Sequence, residues 1–495
     1  MPKAPQLLSH TGAGLQSVKL DHDDFTKGAS TSNTFGDAGF SPDSYNINLI
    51  NLVGEITPTA VPGADVAYPY FTKGIVATYP GSYFGGVNNI FGMTAYGEFV
   101  YRGKTFGGAW TTSGAIDTTH AYTKDFSDIC FYNGTTYATS HYDGVTGVNE
   151  DMSTWAGNGT SSIVTGWFKT NFGVYFQQGK PHPLLVFNGY LYIADGAFLW
   201  KWDGASSYIK VLTLESYSAI TALAIDPNSG RMMVAYTTQV GSTSNTALTV
   251  APAISKIGLY DGTNPTQFVK LVIMDDVVRS MYSVGGTVYV GYGTSLGVWN
   301  GAGVTFLRQL NNVVTKQLIT NVGNDIYFCD GNTVWCYTEM QGLGKKVFYK
   351  IYKVPTGEVL QFICNIDGVS MINFGTKDGS ANNRAYTLKV NVAGDYTQTA
   401  VFKSNAFHFM KPMYIRAVDI IMGALLGANE TITPVIIDDN QNSNAVSPAT
   451  LDSTNTTFVN RFNVGGIPTT EFQFQLTMNT AAPLSRVIIY YDEAE

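Results

Sequence analysis

Along the middle of this chain a strand, a tight turn and a second strand recur, each unit closed by an aromatic residue followed by Asp-Gly or Asn-Gly. The unit reads LLVFNGYLYIADGAFLWKWDG at 184–204, SVGGTVYVGYGTSLGVWNG at 283–301 and, more loosely, ICFYNGTTYATSHYDG at 129–144. Degenerate copies follow the same logic at 221–236, 319–337 and 362–375. One small sheet copied many times cannot bury its faces alone, and radial stacking of the copies into a β-propeller solves that problem for all of them.

The hairpin turns fall at Asn133, Asn188, Asn228, Gly285, Gly323 and Asp367, which gives spacings of 55, 40, 57, 38 and 44 residues. A four-stranded blade needs about 40–50 residues, so the longer intervals carry loop insertions. Six blades are countable, and a seventh can be built from NNIFGMTAYGEFVYRGKTFGGAW at 88–110. Such turns need positive φ, which Gly adopts freely and Asn at small cost. Alternation in Tyr190-Leu191-Tyr192-Ile193 then presents side chains to two faces, both covered by neighbouring blades. Unrelated antiparallel sandwiches would contain similar strands, but they leave the long-range period unexplained.

Three segments emerge. Residues 1–65 are rich in Gly, Ser, Asn, Asp and Thr, too polar for a core of their own, and read as an extended N-terminal arm with one plausible strand at 45–56. Residues 66–399 hold the β-propeller. Residues 400–495 lose the repeat and read as five or more alternating strands, a C-terminal antiparallel β-sandwich or jelly roll. The fold class is therefore all-β.

Charged residues make up only 13% of the 495, well below the roughly 25% of ordinary globular proteins. The formal net charge is −8, from 29 basic and 37 acidic residues, and no stretch is read as concentrating Lys and Arg. Tight nucleic-acid binding needs basic side chains that neutralise phosphates, so DNA is expected at most as passing cargo. MPKAPQLLSHTGAGLQSV lacks the apolar segment of a signal peptide, and AVDIIMGALLGA at 417–428 is too short to span a membrane and is broken by Asp419. Synthesis in a cytoplasm, with no membrane partner, is the expectation.

Residues that carry chemistry are sparse. The six histidines are scattered, no nucleophile elbow, phosphate-cradling loop or zinc-protease helix motif occurs, and the repeated S-x-D-x-G-x-T-W box of sialidase propellers is missing. The chain is read as no enzyme, and a propeller glycosidase ranks below the other readings. Asp275 and Asp276 are adjacent, so on a strand they point to opposite faces and cannot share one scissile bond. Cys130, Cys329, Cys336 and Cys364 sit among apolar neighbours and read as free core thiols. Calcium is the one cation considered, at Asp21, Asp23 and Asp24 in DHDDF and at Asp438 and Asp439 in IIDDNQN; solvated acidic turns explain the same residues with no cofactor at all. Tyr79 and Trp155 are read as aromatics on exposed loops, suited to stacking on sugars or to anchoring an interface.

With phrases such as LYIADGAFLWKWDG, a polar arm in front and an ending LSRVIIYYDEAE, the chain resembles the propeller-bearing tail proteins of short-tailed bacteriophages, their nozzle or hub proteins. The resemblance implies a non-enzymatic viral structural protein of the virion tail. It would form a homo-oligomeric ring, a hexamer for preference, contact other virion tail proteins and surround the channel used in DNA ejection. It carries over no site residue. The alternative is a glycan- or receptor-binding propeller, an adhesin on a virion or cell surface.

Overall fold

The computed structural model describes residues 16–20, 44–48, 57–58, 63–64, 78–84, 87–93, 98–102, 110–115, 124–142, 151–155, 163–164, 167–177, 179–205, 207–239, 253–340, 345–365, 370–377, 383–390, 399–404, 406–454 and 457–493. Seven antiparallel four-stranded sheets follow one another at 78–115, 124–164, 184–213, 218–274, 278–309, 319–353 and 359–389, the last completed by Gly63–Ala64. Their first strands touch in succession: Thr78–Phe84, Lys124–Tyr132, Leu184–Phe187, Ser218–Ile225, Val278–Val284, Ile319–Val322 and Val359–Asn365. Sheets whose first strands line up in this way radiate from one axis. The fold is a seven-bladed β-propeller, and the blade anticipated at 88–110 is the first of the seven.

Burial follows the radius. Second strands such as Tyr190–Asp195 and Asp325–Asp330 are buried on both faces after their first residue, because each is covered by the blade on either side. Fourth strands such as Tyr208–Thr213 and Lys270–Met274 alternate or open to solvent. Five of the six repeat turns lie between the first and second strands of a blade, and Asp367 falls outside the described residues between two strands that do pair. At three of these turns the backbone is left-handed at both positions, Asn133 (φ 46°) with Gly134 (φ 79°), Asn188 (φ 49°) with Gly189 (φ 78°) and Gly285 (φ 54°) with Gly286 (φ 76°). These are the mirror-image turns that suit the twist of a hairpin.

The arm closes the ring. Gly63 and Ala64 pair with Thr387 and Tyr386, so a strand from the N-terminal segment becomes the outermost strand of the seventh blade. Other arm residues reach the C-terminal domain: Gln16–Leu20 pairs with Leu484–Glu493, and Tyr45 pairs with Val401. Asn46, in the left-handed region (φ 57°), accepts a hydrogen bond from the Lys353 amide at 2.9 Å and donates one to the Thr399 carbonyl at 2.9 Å. Ile47 beside it is fully buried. Of the strand expected at 45–56, only Ile47–Asn48 is among the described strands, paired with Thr57–Pro58.

The C-terminal domain is an eight-stranded antiparallel sheet that includes the arm strand Gln16–Leu20. TFVNRFNVGG and EFQFQLTMN, two of the alternating runs in 400–495, form one 21-residue strand, Val459–Asn479. Its first half pairs with Phe407–Met422 and its second half with Thr431–Asp438 and Ala400–Lys403. Gly466 (φ 75°) sits where the register slips, so the glycine pair acts as a bulge within a continuous strand. Phe472, Phe474, Leu476 and Met478 then alternate into a core shared with Val418, Ile420, Val487 and Ile489.

All four cysteines are free and buried. Cys329 pairs across the strand with Val334 and Cys336 with Tyr327, so these two thiols are not cross-strand neighbours. Burial pushes the Cys130, Cys329 and Cys336 thiols far above the ordinary range. The native protein is therefore expected to leave a thiol-reactive disulfide reagent unconsumed at pH 8, with four thiols per chain appearing only on denaturation; rapid reaction of the folded protein would contradict this packing.

Candidate interaction surfaces

Aspartates join successive blades. Asp195 and Asp330, each at the end of a second strand, accept backbone amides from the segment that enters the blade: Gln177 at 2.6 Å, and Asn311 and Asn312 at 2.7 and 3.1 Å. Asp226 does similar work from the fourth blade, taking the Trp299 indole N–H of the fifth at 3.1 Å. Asp195 and Asp330 lie in buried strands, where they satisfy amide donors that the inter-blade connections present.

One aspartate reaches across the axis. Asp128, on the first strand of the second blade and 2% exposed, accepts the amides of Ile129 at 2.8 Å and of Leu184, in the third blade, at 2.9 Å. It also holds the Lys316 ammonium, from the turn entering the sixth blade, at 2.6 and 2.8 Å. This ion pair joins residues on opposite sides of a seven-membered ring, so it spans the propeller axis. Sequence reasoning singled out neither residue; the available signal was a lone carboxylate inside the apolar run FSDICFY.

The outer rim is apolar over three consecutive blades. On the outermost strands Ile209 is 57% exposed, Leu271 46%, Ile273 71% and Phe306 55%. Each of these strands ends its sheet, so one row of its backbone N–H and C=O groups has no strand partner within that blade. A second apolar group, Leu425, Phe458 and Val459, lies at one end of the C-terminal sheet, where the Met422 amide binds the Phe458 carbonyl at 2.9 Å.

The residues singled out in the sequence separate. Asp21, Asp23 and Asp24 lie outside the described residues. Asp438 accepts the amides of Asn440 and Asn442 at 3.0 and 2.9 Å and the Asn444 side chain at 3.0 Å. Burial works to raise its pKa, and the hydrogen bonds from Asn444, Asn442 and Asn440 outweigh it, leaving the carboxyl below its usual range. Asp439 turns away to Thr470, whose hydroxyl donates at 3.0 Å. The two carboxylates thus serve different partners, and among the described residues no group of three or more His, Cys, Asp or Glu is placed to hold a metal. Tyr79 and Trp155 are in strands rather than loops: Tyr79 pairs with Phe91, and Trp155 pairs with Thr136 and Ile163. The TYPG and STWAG phrases look like loop tips because of their Pro and Gly, and strand pairing, on one side for Tyr79 and on both for Trp155, overrides that local signal. His182 is fully buried against the Phe176 ring, and His408 pairs with Glu471 at 3.2 Å.

No protein-family model matches the chain, and no curated protein matches it. Among solved structures it is similar to YCF48 bound to a D1 peptide, at 9% identity and a TM-score of 0.39, over 71% of this chain and 97% of that one. Raptor from Chaetomium thermophilum gives 12% identity and a TM-score of 0.38, over 70% of this chain and 29% of that one. A chain of the mitotic checkpoint complex gives 10% and 0.40, over 68% and 93%. Similarity at this level carries no functional argument, and the propeller assignment rests on the seven sheets themselves.

Proposed function

We propose that this chain is a non-enzymatic structural component of a bacteriophage virion, a tail nozzle or hub subunit that assembles into a homo-oligomeric ring, six copies being the preferred number, around the passage for DNA. The observation that carries the assembly reading is the presence of two different apolar surfaces, one on the rim of the third to fifth blades and one at the end of the C-terminal sheet. A head-to-tail ring requires two unlike patches on each subunit, whereas a two-fold dimer uses one patch twice. Exposed leucine and isoleucine on free sheet edges are an aggregation hazard in a monomer and a contact surface in an assembly. The virion setting rests on the sequence resemblance to phage tail propellers.

The DNA passage of this proposal lies between subunits, because the Asp128–Lys316 pair crosses each propeller axis. A formal charge of −8 suits a wall past which a polyanion moves without being held. The test is a rim variant, Leu271→Lys with Ile273→Lys. Light scattering on the parent protein should give a multimer of the 53.6 kDa chain, and the variant should fall to the monomer with an unchanged circular dichroism spectrum. A monomeric parent protein, or a variant that keeps the multimer mass, would contradict the proposal.

A further inference from the structure

A cleft of about 730 Å³ lies between the sixth blade and the C-terminal sheet, and the arm residue Tyr45 contributes to its lining. Its chemistry follows from a register slip. The strand Lys345–Lys353 carries four lysines in nine residues, a concentration of charge that the sequence reading passed over. In a regular strand Lys350 and Lys353, three apart, would point to opposite faces. A bulge opposite Val334 and Trp335 places Lys350 across from Trp335 and Lys353 across from Thr333. Trp335 and Thr333 are two apart and share a face, so both lysines are turned onto that same face, toward the cleft.

The opposite wall is built in the same way. Val401 and Lys403 alternate onto one face of Ala400–Lys403, across from Thr477 and Gln475, and all four line the cleft. Among the described residues, the lining therefore holds three ammonium groups and one carboxylate, Asp330. That carboxylate already takes two backbone amides and the Asn311 side chain, and the charge of Arg308 acts on it from behind the wall. Arg308 in turn stacks 3.9 Å from the Trp335 ring, adding positive charge beneath it. Lys350 lies 5.3 Å from the Trp335 ring centre and Lys353 lies 4.8 Å from that of Tyr45. Aromatic faces hold an ammonium in place by attraction to the ring.

In a chain of net negative charge, this is a local positive site of ligand size, with amide and hydroxyl groups between its cations. We infer that the cleft binds an anionic oligosaccharide: the lysines take its carboxylate or phosphate groups, while Thr333, Thr399, Gln475 and Thr477 meet its hydroxyls. Three separated point charges and neutral hydrogen-bonding groups match a sugar bearing charge at intervals better than a compact anion, which one or two lysines would satisfy. The inference is independent of ring assembly.

The test is titration calorimetry on the full chain with trigalacturonate, maltose 1-phosphate, maltotriose, inorganic phosphate and a short thymidine oligonucleotide. Binding of either charged saccharide, weakening as salt is raised, with maltotriose and the oligonucleotide inert, is the expected result. Lys350→Met with Lys403→Met should weaken that binding by about tenfold or more while the melting temperature stays unchanged. Equal binding of maltotriose, binding only of inorganic phosphate, preference for the oligonucleotide, or affinity unaltered in a folded lysine variant would each overturn the inference.

Discussion

Deleting residues 1–65 is expected to lower the melting temperature sharply and to open the propeller and the C-terminal sheet to proteolysis. The deletion removes the closing strand Gly63–Ala64 from the seventh blade and the edge strand Gln16–Leu20 from the C-terminal sheet. It also withdraws Ile47 from a fully buried site shared by the propeller and the C-terminal domain. Two single substitutions give graded versions of the same loss. Ile47→Ala should cost about 2–5 kcal/mol through the cavity it leaves. Asn46→Ala strands the Lys353 amide and the Thr399 carbonyl and should cost about 2–3 kcal/mol. Denaturant titration of the variants, with thermal melting and limited proteolysis of the deletion, measures these effects. Full-length stability in the deletion would mean that the arm only decorates a ring already closed.

The second large effect belongs to the axis. Asp128→Ala leaves the Ile129 and Leu184 amides without their acceptor and Lys316 without its carboxylate, and it should cost about 3–4 kcal/mol. Lys316→Met should cost less, about 1–2 kcal/mol, because the lysine side chain is 44% exposed and the carboxylate keeps its two backbone donors. The double variant isolates the pair: a coupling well above the scatter of independent sites places the ion pair across the ring in solution. Additive losses would say that the two residues do not meet.

These two predictions rest on residues that the sequence showed with very different clarity. Hairpins were legible because Asn133-Gly134 and Asn188-Gly189 state their handedness locally, and the repeat period follows from those turns. Closure by Gly63–Ala64 was not, since a two-residue strand has no alternation to detect and its partner lies more than three hundred residues away. A separation of 188 residues likewise hides Asp128 from Lys316. Gly465-Gly466, between two runs that alternate separately, marks a bulge within one strand and not its end. The cleft lysines were visible as letters, but their common direction comes from the bulge beside Trp335, which no periodic reading contains. Sequence patterning reports contacts made by neighbours in the chain, whereas closure, the axial pair and the cleft are made by partners far apart along it.

The ring itself is the claim to test first, and electron microscopy of the purified full-length chain does so directly. Class averages should show closed rings of several copies with an open centre, each copy contributing a propeller disc and an attached C-terminal sheet. A field of single propellers at micromolar concentration, or open filaments that never close, would contradict it.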